Sequence, residues 1–496
     1  MGVIIRQSIK NTVILYVGII FGFVSTILLF PRILTPAQYG LTRLLFSLSM
    51  VCIQFAHLGT KNIIIRFFPY FRDSRESRGR FFSAILLISF FGFLLFTAIY
   101  LLFKGRFLVY YSDNSPLFTQ YYLFLIPMVF GILFFEVINN YIRALHDAVT
   151  GSFVHEVLLR ALIIVMLVVY YYQLIPFVTF MIGFVGCYVL QPIFLLVSLY
   201  WRGDLTLSTP ILQKRSKFLQ GMGVYGGYSL LGGLTTLLVS NIDIIMLGAM
   251  MNLSNTAVYA IAFYVGSVIA VPQRSILKIA TPVLAGLLKE KKYDEISSLY
   301  KRTSLNQIIA GSLLYIGIWA NLHNLMDLLP AAYQGAQHII LVIGFAKLFD
   351  MATGINGGII LNSKYFRFNL YVNIFLVILA ISANYILIPI YGILGAAIAT
   401  TLSIVVYNTI KLVFVWVKFS MQPFEWNTPV VIAIAAACLI LSFQIPYLVN
   451  LFVDVIVRSL SITIVFIGTI LLFGLSEDVK SLVREIRRRT KLFLSP

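Results

Sequence analysis

The sequence predicts an all-helical protein that crosses a membrane many times. Of its 496 residues, 60% are hydrophobic and only 11% are charged, whereas about a quarter of the residues in a soluble globular protein are charged. The charges stand in short clusters between apolar stretches, many of which reach the roughly 20 residues that a spanning helix needs. This composition excludes an ordinary cytosolic enzyme.

Fourteen membrane helices are predicted from these stretches. Two uncharged stretches, 161–201 and 368–410, are too long for one crossing, and breaks at 173–176 and 388–392 divide each into two helices. The first helix lacks a following cleavage site and is expected to remain in the membrane. The predicted helices are 11–31, 41–64, 81–103, 119–140, 153–172, 177–200, 221–247, 256–276, 303–322, 336–361, 369–388, 392–415, 429–446 and 455–473.

Lysine and arginine are distributed unevenly between the two sides of the predicted membrane. The outer loops contain only Arg32, Lys104 and Arg106, and most other basic residues fall in inner segments. Because cytoplasmic loops are enriched in Lys and Arg, both termini are predicted to be cytoplasmic. The net charge of +19 then reflects topology and contact with anionic membrane lipids, and nucleic acid is not expected as a partner.

Short matching segments indicate two related halves. LTPAQYG at 34–40 corresponds to LSNTAVYA at 253–260, and LIP at 174–176 recurs at 387–389, at similar offsets. Six helices per half would place both halves in the same orientation, as a parallel repeat. The predicted domains are an N-terminal six-helix bundle (1–205), a C-terminal six-helix bundle (206–420), helices 13 and 14 (421–475) and a basic cytoplasmic tail (476–496).

Polar residues in the predicted helix 41–64 share one face. At 100° per residue, Gln54, His57 and Lys61 fall within about 40° of Arg43. A charge at the bilayer centre costs at least ~2.5 kcal/mol. Snorkelling of the two cations to opposite interfaces would explain the ends of this stripe but not its middle. The stripe is therefore predicted to line a water-filled cavity.

Other predicted helices carry further intramembrane charges. The fourth helix has Glu136, Asn139, Asn140 and Arg143 at helical spacing. Glu156 and Arg160 form an i,i+4 pair that could be structural. Asp243 has no local basic partner, so it is either a solvated helix end or a group whose protonation is coupled to transport. Lys347 and Asp350 are three residues apart and could likewise neutralise each other.

No catalytic chemistry is recognised. The sequence lacks a nucleophile elbow, a phosphate-binding glycine loop and H-E-x-x-H. Its five histidines show no metal-ligand spacing with Cys, Asp or Glu. No enzyme activity, metal or cofactor is therefore predicted. A glycan polymerase would be expected to present a sizeable outer loop, and the predicted outer loops are short.

Three segments resemble a family of membrane exporters. RQSIKNT at 6–12, LTPAQYG at 34–40 and NIDIIMLG at 241–248 resemble bacterial polysaccharide flippases of the O-antigen type, in the multidrug/oligosaccharidyl-lipid/polysaccharide (MOP) exporter superfamily. The helix count and the half repeat extend the resemblance over essentially the whole chain. It implies two six-helix bundles around a V-shaped central cavity, alternating access and no catalytic residues.

The resemblance also implies a cargo and a location. The cargo would be an undecaprenyl-diphosphate-linked oligosaccharide (an O-antigen, capsule or exopolysaccharide unit), moved across the bacterial cytoplasmic membrane, with a polysaccharide polymerase or chain-length regulator as a possible partner. A peptidoglycan lipid II flippase is an alternative that the sequence separates poorly. A drug antiporter, a membrane glycan polymerase and an assembly scaffold are further alternatives. Drug antiporters usually have twelve helices and transport organic cations, which favours an acidic cavity. The predicted helix 41–64 instead places basic side chains on the cavity wall, which suits an anionic cargo.

On this hypothesis the candidate residues have three roles. Arg43, Lys61 and Lys347 attract the diphosphate, because Lys supplies a point charge and Arg a bidentate fork; Gln54, His57, Asn139 and Asn140 hydrogen-bond sugar hydroxyls; and Glu136, Asp243 or Asp350 couples a proton or sodium ion to the conformational change. The polyprenyl tail would remain in lipid, with helices 13 and 14 as its groove.

Overall fold

The computed structural model of the chain describes residues 2–209, 217–481, 483 and 484. Within these residues the structure is helical and contains no strand, which confirms the predicted all-helical fold class. The chain divides into two compact units, Met1–Ala260 and Ile261–Pro496. The predicted bundle boundaries stay predictions, and residues 482 and 485–496 of the predicted basic tail lie outside the described residues.

The first unit is built mainly from long apolar helices. They are α1 (Gly2–Phe23), α2 (Phe30–Ile33), α3 (Pro36–Ala56), α4 (Thr60–Phe67), α5 (Arg75–Leu102), α6 (Lys104–Ser112), α7 (Pro116–Gln120), α8 (Leu125–Ala144), α9 (Val149–Phe153), α10 (Leu159–Tyr171), α11 (Phe177–Trp201) and α12 (Lys217–Met250). The next helix, α13 (Leu253–Ser267), contains the division between the units.

The second unit continues with the same kind of element. Its helices are α14 (Val271–Lys289), α15 (Tyr293–Ala320), α16 (Leu322–Leu328), α17 (Ala336–Ala352), α18 (Asn356–Leu361), α19 (Phe366–Tyr391), α20 (Ile393–Phe419), α21 (Asn427–Ser442) and α22 (Leu451–Leu472). The two breaks expected in the long uncharged stretches are present, between α10 and α11 and between α19 and α20.

Every predicted membrane segment overlaps a helix or a consecutive pair of helices. Among the described residues, ten helical spans are long and apolar enough to cross a membrane, or up to eleven if α15 and α16, which are bent by 57°, form one span. The count of fourteen crossings and the V-shaped cavity therefore stay predictions.

The predicted helix 41–64 is interrupted, which changes the expected polar stripe. Gly59, between α3 and α4, has a φ of +80°, a conformation that favours glycine. A Cβ at Gly59 would lie 2.3 Å from the carbonyl oxygen of Gly226 on α12. The break brings Lys61 into a different helix from Arg43, so the angular relation expected for one continuous helix does not apply.

Two segments of π-helix interrupt helices of the first unit. Val24–Leu29 lies between α1 and α2, and Val154–Leu158 lies between α9 and α10. A π-turn widens the local hydrogen-bond pattern and often occurs at functional sites. In the second segment the consecutive residues His155 and Glu156 both line a polar cavity.

In the second unit, α21 and α22 pack along α15. The apolar contact includes Ile308 and Ile316 of α15, Val431 of α21 and Phe466 of α22. Burial of such side chains is favourable by roughly 25 cal/mol per Å². These two helices are the predicted helices 13 and 14, and their proposed role as a tail groove stays a prediction.

A buried ion pair closes one end of this three-helix group. Asp454 and Arg458 of α22 are 1% and 2% exposed and lie 3.1 Å apart. Asp454 also accepts hydrogen bonds from Asn324 Nδ2 (2.5 Å) and the Leu448 backbone N–H (3.1 Å) and lies 3.2 Å from His323 Nε2. The network joins α22, the loop before it and α16.

Candidate functional site

A polar cavity of about 280 Å³ lies within the first unit. Its polar lining consists of Lys61, Glu136, Asn139, Asn140, Arg143, Ser152, His155, Glu156 and Gln191, and its aromatic lining of Phe46, Phe135 and Tyr188. These side chains come from α3, α4, α8, α9, the second π-segment and α11. Of the ten residues predicted to form the site, the cavity brings together Lys61, Glu136, Asn139 and Asn140.

Lys61, Arg143, Glu136 and Glu156 line the cavity, and together with Arg160, which pairs with Glu156 from outside the lining, they carry one positive charge in excess. Lys61 Nζ lies 3.1 Å from Glu136 Oε2, and both side chains remain partly exposed. Glu156 pairs with Arg160 at 2.7 Å, which confirms the predicted i,i+4 pair. Among the described residues, Arg143 has no carboxylate within ion-pair distance. The cavity therefore favours a ligand that carries negative charge.

Two amide oxygens at the cavity lack a hydrogen-bond donor. They are Asn139 Oδ1 and Asn140 Oδ1, both buried, although Asn140 Nδ2 donates to the Glu136 carbonyl at 2.7 Å. Gly151 leaves room for Asn139, because a Cβ there would lie 1.7 Å from Asn139 Oδ1. An unpaired buried acceptor costs about 1–3 kcal/mol, so a side-chain rotation that turns these oxygens toward the donors of a ligand would be favourable.

Aromatic rings lie beside these polar groups. Phe135 stacks on the imidazole of His155 with ring centroids 5.3 Å apart, and Phe46 contacts Tyr188 at 6.0 Å. His155 Nδ1 lies 3.1 Å from Gln191 Oε1. Flat apolar surfaces next to a few fixed polar groups are typical of small-molecule sites, and this combination suits a ring that carries hydroxyl groups on its edge.

The sequence interpretation missed His155 and Gln191. Ser152, His155 and Glu156, which all line the cavity, have the i, i+3, i+4 spacing of one helix face, so His155 carried a signal that the interpretation did not use. Gln191 also carried a signal, because it is the one amide within the long uncharged stretch 161–201 apart from Gln173 at the predicted break. A polar group buried in an apolar helix requires a partner.

Gln54 and His57 are not among the cavity residues. The Gly59 N–H donates to His57 Nδ1 (2.8 Å), His57 Nε2 lies 3.0 Å from Gln54 Oε1, and Gln54 Nε2 donates to the Leu230 carbonyl (2.9 Å). A neutral imidazole with its proton on Nε2 satisfies both contacts of His57. These residues stabilise the helix break and connect it to α12.

Arg43 is also absent from the cavity lining. Its Nη2 donates to Thr26 Oγ1 at 3.2 Å, and its guanidinium lies 4.9 Å from the Tyr39 ring centroid and 5.4 Å from that of Phe30. Such cation–π contacts stabilise a cation away from bulk water. The structure therefore places this predicted anion-binding residue against aromatic rings.

The remaining predicted residues lie elsewhere. Asp243 is buried and accepts a hydrogen bond from the Tyr259 hydroxyl. In the second unit, Asp350 accepts hydrogen bonds from Gln273 (3.1 Å) and Asn408 (2.8 Å), and Lys347 Nζ lies 5.3 Å from the Phe263 ring centroid. None of these three residues is among those that line the polar cavity, and their assigned roles stay predictions.

Comparisons with known proteins identify the fold. No protein-family model matches the chain, and no curated protein matches it. The lipid II flippase MurJ, in an inward closed conformation, is similar in structure with a TM-score of 0.69 at 13% identity, and the match covers 94% of this chain and 100% of that one.

Two transporters of a related group are also similar. A multidrug resistance MATE family transporter of the MOP superfamily, in an inward-facing conformation, has a TM-score of 0.61 at 19% identity, over 84% of this chain and 94% of its own. A MOP superfamily transporter from Pyrococcus furiosus, whose reversed binding-pocket polarity suggests a different function, has a TM-score of 0.52 at 17% identity, with 84% and 95% covered. The predicted resemblance is therefore confirmed at the level of the fold, and this chain has the fold of the MOP superfamily of membrane transporters.

Proposed function

We propose that the protein is a flippase for an undecaprenyl-diphosphate-linked oligosaccharide in the bacterial cytoplasmic membrane. The observation that carries this proposal is the polar cavity of the first unit, which combines an excess positive charge with two unpaired amide oxygens and aromatic surfaces. Diphosphate requires cations, and sugar hydroxyls supply hydrogen-bond donors. Transport rather than catalysis is proposed because the solved structures of this fold described above are transporters.

The charge arrangement supports a mechanism of binding by exchange. Lys61 is held by Glu136 at 3.1 Å but keeps 38% of its side-chain surface exposed. A diphosphate that enters beside Arg143 can therefore replace Glu136 as the ion-pair partner of Lys61, so that Lys61 stays paired throughout the exchange. Asn139 and Asn140 would then accept hydroxyl donors from the first sugars, and alternating access would release the lipid-linked glycan into the opposite leaflet.

A peptidoglycan lipid II flippase remains the second candidate function. The similarity to the lipid II flippase MurJ extends over nearly all of both chains. Lipid II and O-antigen precursors share a polyprenyl diphosphate and differ in their glycan, so the charges of the cavity favour neither. A role in polysaccharide or lipopolysaccharide biosynthesis, with a polymerase or chain-length regulator as partner, belongs to the first candidate only.

The first experiment measures movement of the glycan lipid between leaflets. Purified protein is reconstituted in vesicles with either an undecaprenyl-diphosphate-linked oligosaccharide or lipid II, and a membrane-impermeant glycosidase reports the fraction exposed outside. Faster exposure of the oligosaccharide lipid alone supports the first proposal, and faster exposure of lipid II alone supports the second. No change for either lipid would refute both. A proton or sodium gradient across the same vesicles tests the proposed ion coupling.

The cavity assignment is tested by Lys61→Ala. Loss of a cation that binds the diphosphate should lower the initial flipping rate at least about tenfold, because hydrogen bonds to charged groups contribute about 1.5–3 kcal/mol. Lys292→Ala is the matched control, since Lys292 is an exposed lysine paired with Glu290 and Glu295 in the second unit. Equal rates for both variants would contradict the role of the cavity.

A further inference from the structure

An apolar groove of about 560 Å³ lies in the first unit. Leu87 and Phe90 of α5, Phe134 of α8, and Ile193 and Leu196 of α11 form much of its surface. Leu87, Phe90 and Ile193 are between 38% and 49% exposed, so the groove is open to the side. The preceding residue of α11, Pro192, lacks a backbone N–H and weakens the regular hydrogen bonding of the helix there.

The groove and the polar cavity use different faces of the same helices. On α8, Phe134 lines the groove whereas Glu136 lines the cavity, and two residues correspond to about 200° around a helix. On α11, Tyr188 and Gln191 line the cavity, and Ile193 lines the groove. The groove is therefore separate from the proposed cargo site, with α8 and α11 as the wall between them.

One end of the groove is closed by the segment that follows α11. Ser208 N–H donates to Ser83 Oγ at 3.2 Å, and these two residues are the polar lining of the groove. Gly79 allows the close approach, because a Cβ there would lie 2.9 Å from Ser208 Oγ. Leu207, on the same segment, is 64% exposed and lines the groove.

Three arginines precede Ser83 on the same helix, α5. Arg75 Nη2 donates to the Gly203 carbonyl at 3.0 Å, and Arg78 lies 3.5 Å from Asp204. Arg80 is one helical turn from Ser83. Arg78 and Arg80 have carboxylate partners, whereas Arg75 has none among the described residues. Arg75 begins α5, eight residues before Ser83, so its backbone lies about 12 Å along the helix beyond the polar end of the groove.

We propose that this groove binds one anionic phospholipid. An acyl chain lies along Leu87, Phe90 and Ile193, and the phosphate group lies beyond the end marked by Ser83, toward Arg75. The lipid comes from the leaflet on the side of the arginine-rich loop. An anionic headgroup is favoured because Arg at a membrane surface attracts anionic lipids. The proposal concerns a structural lipid and does not depend on which cargo the protein transports.

A second apolar groove supplies an internal control. It has a volume of about 460 Å³, is lined by Leu162, Val165 and Met166 of α10 and by Cys187 and Leu190 of α11, among others, and has no polar lining residue. Leu190 is 40% exposed and stands three residues before Ile193 on the same helix. A Trp at position 190 or at position 193 would face a comparable apolar surface. Comparing the two substitutions therefore distinguishes lipid binding in one groove from lipid binding in the other.

Native mass spectrometry tests the proposal on the intact chain. The protein is released from nanodiscs that contain equal amounts of phosphatidylglycerol and phosphatidylethanolamine, and the retained lipids are counted. We expect one retained phosphatidylglycerol, at least a fivefold loss in Ile193→Trp and no loss in Leu190→Trp. Arg75→Gln should lower phosphatidylglycerol retention about fivefold and leave phosphatidylethanolamine unchanged, since one basic residue contributes about that factor.

Three results would overturn the proposal. They are the absence of a retained lipid on the unsubstituted protein, equal loss in Ile193→Trp and Leu190→Trp, and equal loss of both phospholipids in Arg75→Gln. Because lipids are counted without a transport assay, failure of the proposed flippase activity and failure of this lipid site are distinguishable.

Discussion

The polar cavity of the first unit and the Asp454 network of the second unit both contain charged and amide side chains, but they differ in how completely these groups are hydrogen-bonded. In the network, Arg458 directs its donors to Asp454 and to the carbonyls of Ser442 (2.8 Å) and Ile445 (3.2 Å). In the cavity, Asn139 Oδ1 and Asn140 Oδ1 have no donor. A charge inside an apolar helix therefore does not by itself indicate transport.

The degree of hydrogen-bond saturation is what separates the two regions. A saturated, fully buried ion pair holds elements together, and removal of one member leaves an uncompensated charge. An open cavity with unpaired acceptors has groups left for a ligand. The comparison predicts that substitutions in the network affect stability first, and that substitutions in the cavity affect transport first.

The largest expected effect is the loss of stability in Asp454→Ala. This change leaves Arg458 buried without its partner, which should lower the free energy of unfolding by about 3–5 kcal/mol. The thermal unfolding temperature in detergent measures the change. In the double variant Asp454→Leu with Arg458→Met no buried charge remains, so most of the stability should return. Equal instability of the single and double variants would contradict this account.

A smaller loss is expected at the helix break. His57→Ala removes the acceptor of the Gly59 N–H and the donor to Gln54 Oε1, and each buried group left unpaired costs about 1–3 kcal/mol. The break should then be protected less from hydrogen exchange. Met50→Ala, a change in the same helix α3 that removes no hydrogen bond, is the control. Unchanged exchange near Gly59 in His57→Ala would show that His57 does not stabilise the break.

The fold was accessible from the sequence because it depends on long-range composition. Apolar stretches of sufficient length become helices in lipid almost regardless of detail, since all backbone groups must be satisfied internally. The prolines and glycines near 176 and 392 then mark where two helices meet. This is why the fold class and the segment positions agree with the structure.

The site was accessible only in part, because it depends on local departures from the regular helix. The continuous 100° rotation assumed from Arg43 to Lys61 ignored a left-handed turn at Gly59. His155 was missed for another reason, because its i, i+3, i+4 spacing with Ser152 and Glu156 was not considered. In the sequence, Arg458 is one more intramembrane charge. Its hydrogen bonds to the backbone carbonyls of Ser442, Ile445 and Pro446 arise only from the packing of the loop before α22.

A modest pH effect is expected at a carboxylate that is paired but exposed. Asp478, after α22, accepts hydrogen bonds from Arg302 and from Asn306 Nδ2 (2.6 Å). The hydrogen bond from Arg302 is the main cause of its lowered pKa. The ordinary Asp pKa is about 3.9, so this contribution to stability is complete above that pH and is lost as the pH falls through the lower pKa of the folded state.

Thermal unfolding between pH 6 and pH 3 checks this sign. The unsubstituted protein should lose more stability over that range than Asp478→Asn, by under about 1 kcal/mol, because the pair with Arg302 is partly exposed. In its degree of burial and hydrogen bonding, Asp478 is then intermediate between the saturated Asp454 network and the open cavity. A steeper loss in Asp478→Asn would show that the carboxylate is destabilising when ionised.

The smallest effect on stability, within about 0.5 kcal/mol, is expected for Asn139→Ala, because its Oδ1 makes no hydrogen bond that the change would remove. Its effect on transport should be larger: loss of one hydrogen bond to a sugar hydroxyl lowers the flipping rate about 2- to 10-fold. Gly151→Ala is the complementary variant, since its Cβ displaces Asn139 Oδ1 without removing the amide. Both variants should slow flipping while their unfolding temperatures stay close to that of the unsubstituted protein. Normal flipping in both would show that the unpaired oxygen does not face the cargo, and the distinction drawn from hydrogen-bond saturation would then fail on its ligand side.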